Sequence, residues 1–175
     1  YAPLSVVEYA AAARAMAAQG VALARVRPWL DDVLRRHVHA LSPGGGVFAG
    51  GDTQAESANL APNPNTLAAV LIGDASRDSK AWAAAELARL PHEKLDFPLW
   101  GALAEAAGVA PVAVPRASWP TSYFARGVGS YFARTDWSKD AIWTVSRCSK
   151  TIDVDHSHPD AGNFVLSRGA DDVIV

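Results

Sequence analysis

Two histidines two residues apart, His156 and His158, lie in the run Asp155-His156-Ser157-His158-Pro159-Asp160-Ala161-Gly162-Asn163-Phe164, with carboxylates on either side. Imidazole is the commonest metal ligand and the side chain best suited to moving protons near neutral pH. On extended backbone alternate side chains share a face, so His156 and His158 can converge on one site while a neighbouring carboxylate fixes a tautomer. An ordinary solvated turn of this composition is the competing reading, and both stand on the residues alone.

The other candidates are more scattered. His37 and His39 fall on a helical stretch two residues apart, hence on different faces, and cannot form an i, i+4 metal pair. They are expected at the surface. Arg126 and Arg134 can meet carboxylates through charge-assisted bonds or serve as plain surface charges. Trp119, Trp137 and Trp143 suit stacking on sugar rings as well as packing. His92 follows Pro91 in an expected interhelical turn, and Gly44-Gly45-Gly46 and Gly50-Gly51 lack the G-K-[ST] ending of a phosphate-binding loop.

The elements that must position these residues change character along the chain. The first half is Ala-rich with 3.6-residue spacing, and the last third alternates Tyr, Phe, Trp, Val, Ser and Thr. Helix one is expected from Val6 to Gln19, opened by a Ser5/Glu8 capping box and closed by Gly20, with Val6, Ala10, Ala13 and Ala17 as its stripe and Tyr9 in the core. A second helix is expected from about Pro28 to Leu41, broken by Ser42-Pro43-Gly44-Gly45-Gly46. Val47 to Asn65 is turn-rich and long enough to border a cleft. Further helices are expected at Thr66 to Ile72, at Asp78 (as N-cap) to Leu90, and at Phe97 to Ala107. Pro111, Pro115 and Pro120 mark a linker, and the domain boundary is placed at about Arg116. Strands are then expected at Tyr123 to Asp136, Ala141 to Arg147, Asn163 to Arg168 and Asp172 to Val175. The fold class is therefore α+β, an Ala-rich helical segment (residues 1–115) followed by the beginning of an antiparallel sheet (residues 116–175).

Composition narrows the class. The 175 residues are half apolar and 19% charged with a formal net charge of −2, the profile of a globular chain with neither nucleic acid nor membrane as a partner. Arg, Asp or Pro interrupts every apolar stretch before the roughly 20 residues a span requires. A single Cys148 excludes an internal disulfide. Both ends read as internal to a longer protein, with any signal segment outside the chain.

His156-Ser157-His158-Pro159-Asp160 with Phe164-Val165-Leu166 and Val173-Ile174-Val175 resembles the H-x-H-x-D-x-x-x-F segment and following apolar strand of heparinase II/III-like polysaccharide lyases. Arg134-Thr135-Asp136-Trp137-Ser138 followed by Ala141-Ile142-Trp143 resembles the first sandwich strands of that family, and the resemblance runs over about Tyr123 to Val175. It implies an α/α toroid leading into a β-sandwich, and β-elimination on a uronic-acid polysaccharide of heparan or alginate type in the periplasm or outside the cell. It further implies His156 and Tyr1 as proton-handling residues, Arg134 and Trp137 as substrate contacts, and His158 as one ligand of a sandwich zinc. The second ligand would be an Asp directly after Val175 and the third a later His, so the chain as it stands is expected to hold no tight zinc site; Asp172 as a substitute is outweighed by its reading as a turn carboxylate.

Two rivals belong to other classes. A metallo-β-lactamase-type hydrolase begins its H-x-H-x-D-H motif as His156 to Asp160 do, but the sixth position here is Ala161 and the following segment alternates like a strand. A non-catalytic carbohydrate-binding or scaffold module would keep the fold without turnover.

Overall fold

The computed structural model describes residues 2–21, 23–48, 63–90, 108–148 and 161–174. The protein is α+β: among these residues four α-helices precede one five-stranded antiparallel sheet. The chain divides into two compact units, Tyr1–Arg35 with Asn63–Val114, and Arg36–Pro62 with Pro115–Val175. No helix among the described residues is long and apolar enough to cross a membrane.

In the helical unit, α1 (Ala2–Ala18) and α4 (Arg77–Leu87) both pack on α3 (Pro64–Ile72). Apart from Thr66, every residue of α3 is buried, because a run of Leu, Ala, Val and Ile has no polar face to turn outward. Pro64 occupies its first turn, and the Asn63 carboxamide accepts the Asn65 N–H at 2.8 Å. Gly73 ends the helix beside α2 (Val26–Ala40): an added Cβ would collide with Leu30 Cδ1 and stand 2.9 Å from the Ala69 carbonyl. Only the absence of a side chain lets α3 stop here.

Several sequence expectations are corrected in this unit. α1 begins at Ala2, so Ser5 lies inside the helix and does not cap it, whereas Gly20 does close the end with φ +81°. Tyr9 is 66% exposed rather than core, and the buried positions are Val7 and Ala10, because α3 takes up a narrower face of α1 than the Ala content suggests. The cap of α4 is Ser76, not Asp78: Ser76 Oγ accepts the Ser79 N–H at 3.2 Å, while the Ser76 N–H donates to Asp31 Oδ1 at 3.0 Å. Burial alone would raise the Asp31 carboxyl, but bonds from Ser79 and Ser76 and the charge of Arg35 hold it below its usual range. The helix expected at Phe97 to Ala107 lies outside the described residues.

The second unit is built on a meander, β1 (Ser122–Ala125), β2 (Ser130–Arg134), β3 (Ile142–Arg147), β4 (Phe164–Arg168) and β5 (Asp171–Ile174), in that spatial order. The single strand expected over Tyr123 to Asp136 is a hairpin. Arg126 to Gly129 turn the chain, with Val128 N–H donating to the Ala125 carbonyl and Gly129 at φ +60°. Two aromatic pairs with the same alternation, Tyr123-Phe124 and Tyr131-Phe132, mask that turn in the sequence.

Register sorts the sheet into two faces. On the inner face Tyr123, Phe132, Val145 and Val165 stand in one row, and Arg134, Trp143 and Ser167 in the next. Phe132, Trp143 and Val145 form a core with Ala40 at the end of α2 and with Phe48. Between the last two, Ser42 to Gly46 fold into a tight reversal: Ser42 N–H donates to the Gly46 carbonyl at 2.8 Å, and Leu41 bridges Val47. The outer face carries the row Phe124, Tyr131, Ser146 and Phe164, whose three rings are 51%, 45% and 42% exposed.

Candidate functional site

The strongest concentration of chemistry among the described residues surrounds the last turn of α2 where it meets the inner face of the sheet. His39 is held among three aromatic rings: Tyr123 stacks on it with centroids 5.2 Å apart, while Trp137 at 5.4 Å and Trp119 at 6.4 Å meet it edge-on. Arg134 lies across Trp137, its guanidinium carbon 3.8 Å from the ring centroid. Trp137 is itself fixed, donating Nε1–H to the Trp119 carbonyl at 2.9 Å.

The end of α2 explains this gathering. The last carbonyls of a helix have no partner within it. Arg134 Nη2 donates to the carbonyls of Leu41 at 2.6 Å and His39 at 3.2 Å, and the Trp143 indole donates to the His39 carbonyl at 3.0 Å. The sheet thus caps the helix with a guanidinium and an indole.

His37 and His39 are therefore not surface residues: they are 6% and 2% exposed. Opposite faces of α2 did separate them, but both faces are covered here. Burial, then the nearby charges of Arg36 and Arg116, pushes the His37 imidazolium down to about 4. Burial, then Arg134, pushes His39 down to about 4 as well, and its Nδ1 has no hydrogen-bond partner among the described residues. Both rings are neutral at physiological pH.

The surroundings are cationic. Burial, with the charge of Arg116, lowers Arg134 to about 10 against the opposing pull of Asp136. Arg36 is lowered by burial and by Arg147, with Tyr123 acting the other way. Four guanidinium groups thus lie within electrostatic reach of one another or of the two imidazoles. Asp136 is exposed and held below its usual range chiefly by its bonds with Ser138, the backbone bond from the Ser138 N–H measuring 2.6 Å.

Of the residues singled out in the sequence, Arg134 and Trp137 are brought together; Trp143 is fully buried with its indole on the His39 carbonyl, and Arg126 is exposed in the β1–β2 turn. Tyr1, His156 and His158 lie outside the described residues, as does most of the turn-rich stretch from Val47 to Asn65. Among the described residues no three His, Cys, Asp or Glu side chains gather as a metal would require, and Asp172 accepts the Ser167 hydroxyl at 2.9 Å within the sheet. His37, His39, Arg36 and Tyr123 were missed as a group. Part of the signal was present, since Leu30, Leu34, His37 and Val38 follow the i, i+4, i+7, i+8 stripe of a buried helix face.

The chain matches no protein-family model and no curated protein.

Proposed function

We propose that this chain belongs to a polysaccharide lyase of the heparinase II/III type that cleaves a uronic-acid polysaccharide by β-elimination. The observation that carries the reading is the inner-face cluster, in which Arg36, Arg116, Arg134 and Arg147 lie within electrostatic reach of one another or of two neutral imidazoles, with Trp137 stacked on Arg134. A polymer carrying carboxylates on pyranose rings complements both the charge and the ring surface. Among the described residues Arg134 engages the helix carbonyls through Nη2 alone, which leaves Nη1 as a donor toward a carboxylate.

In this reaction a base removes the proton at C5 of the uronate, the electron pair forms the C4–C5 double bond, and the C4–O bond breaks with a proton returned to the leaving oxygen. Neutralising the substrate carboxylate makes the C5 proton acidic enough to take, a task suited to a guanidinium. His156 and Tyr1 are the proposed proton-handling residues on the resemblance of their segments, and Arg134 and Trp137 the proposed substrate contacts.

The sandwich that accompanies this activity gains support from the outer sheet face. Phe124, Tyr131 and Phe164 form an exposed aromatic row, and Ile142 and Ile174 on the same face are 45% and 47% exposed. A second sheet would cover that row. The toroid reading draws on the Ala-rich helices α1 and α4, and a periplasmic or secreted location and a sandwich zinc held in part by His158 follow from the same family reading.

A binding module without turnover is the second reading. It is favoured by the neutrality of His37 and His39 down to about pH 4, which leaves neither suited to exchanging protons near neutral pH. The test is ultraviolet absorbance of the unsaturated uronate product when the full-length protein and its His156→Ala and Tyr1→Phe variants meet a panel of uronate polysaccharides. Product formed by the parent and lost in both variants supports the lyase. Saturable binding of the same polymers without product supports the module, and neither overturns both.

A further inference from the structure

The helical unit contains a groove of about 710 Å3 that takes no part in the cluster around His39. Its walls are aliphatic, formed chiefly by Ala13 and Ala17 of α1, Leu23, Val26, and Leu71 and Ile72 at the end of α3. Three cations and one carboxylate line it: Arg14, Arg27, Lys80 and Asp74. Arg27 pairs with Asp74 at 2.7 Å. Among the described residues Arg14 reaches only the Ile72 carbonyl, at a long 3.5 Å, and Lys80 has no ion-pair partner. The Lys80 ammonium is half-buried and lies below its usual range, first through burial, while Asp74 acts the other way and Arg14 and Arg27 add to the depression.

Two cations beside apolar walls, one of them partly stripped of water, form an unbalanced site. Low-dielectric walls strengthen their field, so an entering anion is attracted more strongly than at an open surface. Among the described residues no aromatic side chain lines the groove, which removes the usual platform for a sugar ring and favours an aliphatic body. The volume lies within the roughly 300–1,000 Å3 of small-molecule sites. We propose that this groove binds an amphipathic organic anion, its aliphatic body along Ala17, Val26 and Leu71 and its carboxylate or phosphate head at Arg14 and Lys80. The inference is independent of the lyase reading.

Calorimetric titration of the full chain with octanoate, octyl phosphate, acetate and inorganic phosphate tests it. Each buried methylene contributes about 0.8 kcal/mol, so octanoate should bind at least roughly a hundredfold more tightly than acetate, and octyl phosphate likewise against inorganic phosphate. The tighter of the two amphiphiles identifies the head group. Lys80→Gln should weaken binding roughly tenfold, the loss of about one charge-assisted hydrogen bond. Ala17→Trp, at an exposed position, should fill the groove and abolish binding with an unchanged circular dichroism spectrum. Absence of saturable binding, equal affinity for acetate and octanoate, or binding indifferent to both substitutions would overturn the proposal.

Discussion

The Trp143 indole, fully buried on the inner face of the sheet, donates its Nε1–H to the His39 carbonyl at 3.0 Å. One bond spanning 104 positions of sequence joins the end of α2 to β3. Arg134 Nη2 donates to the same carbonyl, so an acceptor that the helix cannot satisfy internally receives two donors from the sheet.

This arrangement separates packing from capping. Trp143→Ala should destabilise the protein by about 3–5 kcal/mol, the cost of emptying a large aromatic site. Trp143→Phe keeps most of the volume, and Arg134 still serves the His39 carbonyl, so it should cost only about 1–2 kcal/mol. Urea unfolding of the two variants checks the ratio; equal losses would show that the bond, not the ring, dominates.

Arg134→Lys should not restore what Arg134 does. A lysine is a point donor that cannot both bridge the Leu41 and His39 carbonyls and lie flat on Trp137. A loss of about 1–3 kcal/mol is expected in the same unfolding measurement. Under the lyase reading KM for the acidic polymer should also rise, whereas a purely structural Arg134 would leave KM unchanged in the folded fraction.

Acid should weaken the second unit before most carboxylates titrate. His37 and His39 fall from 6.5 to about 4 on folding, so as pH drops the unfolded chain takes up their protons first. Their contribution is whole above about pH 6.5, is lost progressively toward about pH 4, and changes no further below that. His39→Phe should flatten the dependence, since a phenyl ring can stack on Tyr123 without accepting a proton. Denaturant midpoints at neutral pH and at about pH 5 measure this; an unaltered slope in the variant would assign the effect elsewhere.

The exposed row on the outer face distinguishes a lone sheet from half of a sandwich. Replacing Phe124, Tyr131 and Phe164 together by Thr should cost the full-length protein several kcal/mol if a second sheet covers them, since burying each ring contributes about 1.5–3 kcal/mol. If the row faces solvent, the triple variant should be near neutral and more soluble. Thermal unfolding of the full-length protein decides.

Gly73→Ala tests the close approach of α2 and α3. The new methyl would drive into Leu30 Cδ1 and the Ala69 carbonyl, one side chain and one fixed backbone atom. A loss of about 1–3 kcal/mol is expected from overpacking, and the double variant Gly73→Ala/Leu30→Ala should recover part of it. A single variant as stable as the parent would show that α2 shifts freely.

Local pattern in the chain gives the succession of the four helices and of the last three strands, but not the β1–β2 hairpin. The 3.6-residue spacing of Ala and Leu located α1 to α4 within a few residues, and the alternation of Ile142 to Arg147 and Phe164 to Arg168 located β3 and β4, because local periodicity is a local property of the chain. The motif at His156 and His158 lies outside the described residues. Which faces are covered follows from long-range packing alone. Tyr9 looked like core and is exposed because α3 covers another side of its helix, and His39 looked exposed and is buried because Tyr123, Trp119 and Trp137 close over it. Arg134, which the sequence offers as a charge at the surface or toward substrate, also bonds in the fold to carbonyls 93 and 95 positions away. Periodicity says which side chains share a face, whereas burial and pKa depend on what the rest of the chain brings against that face.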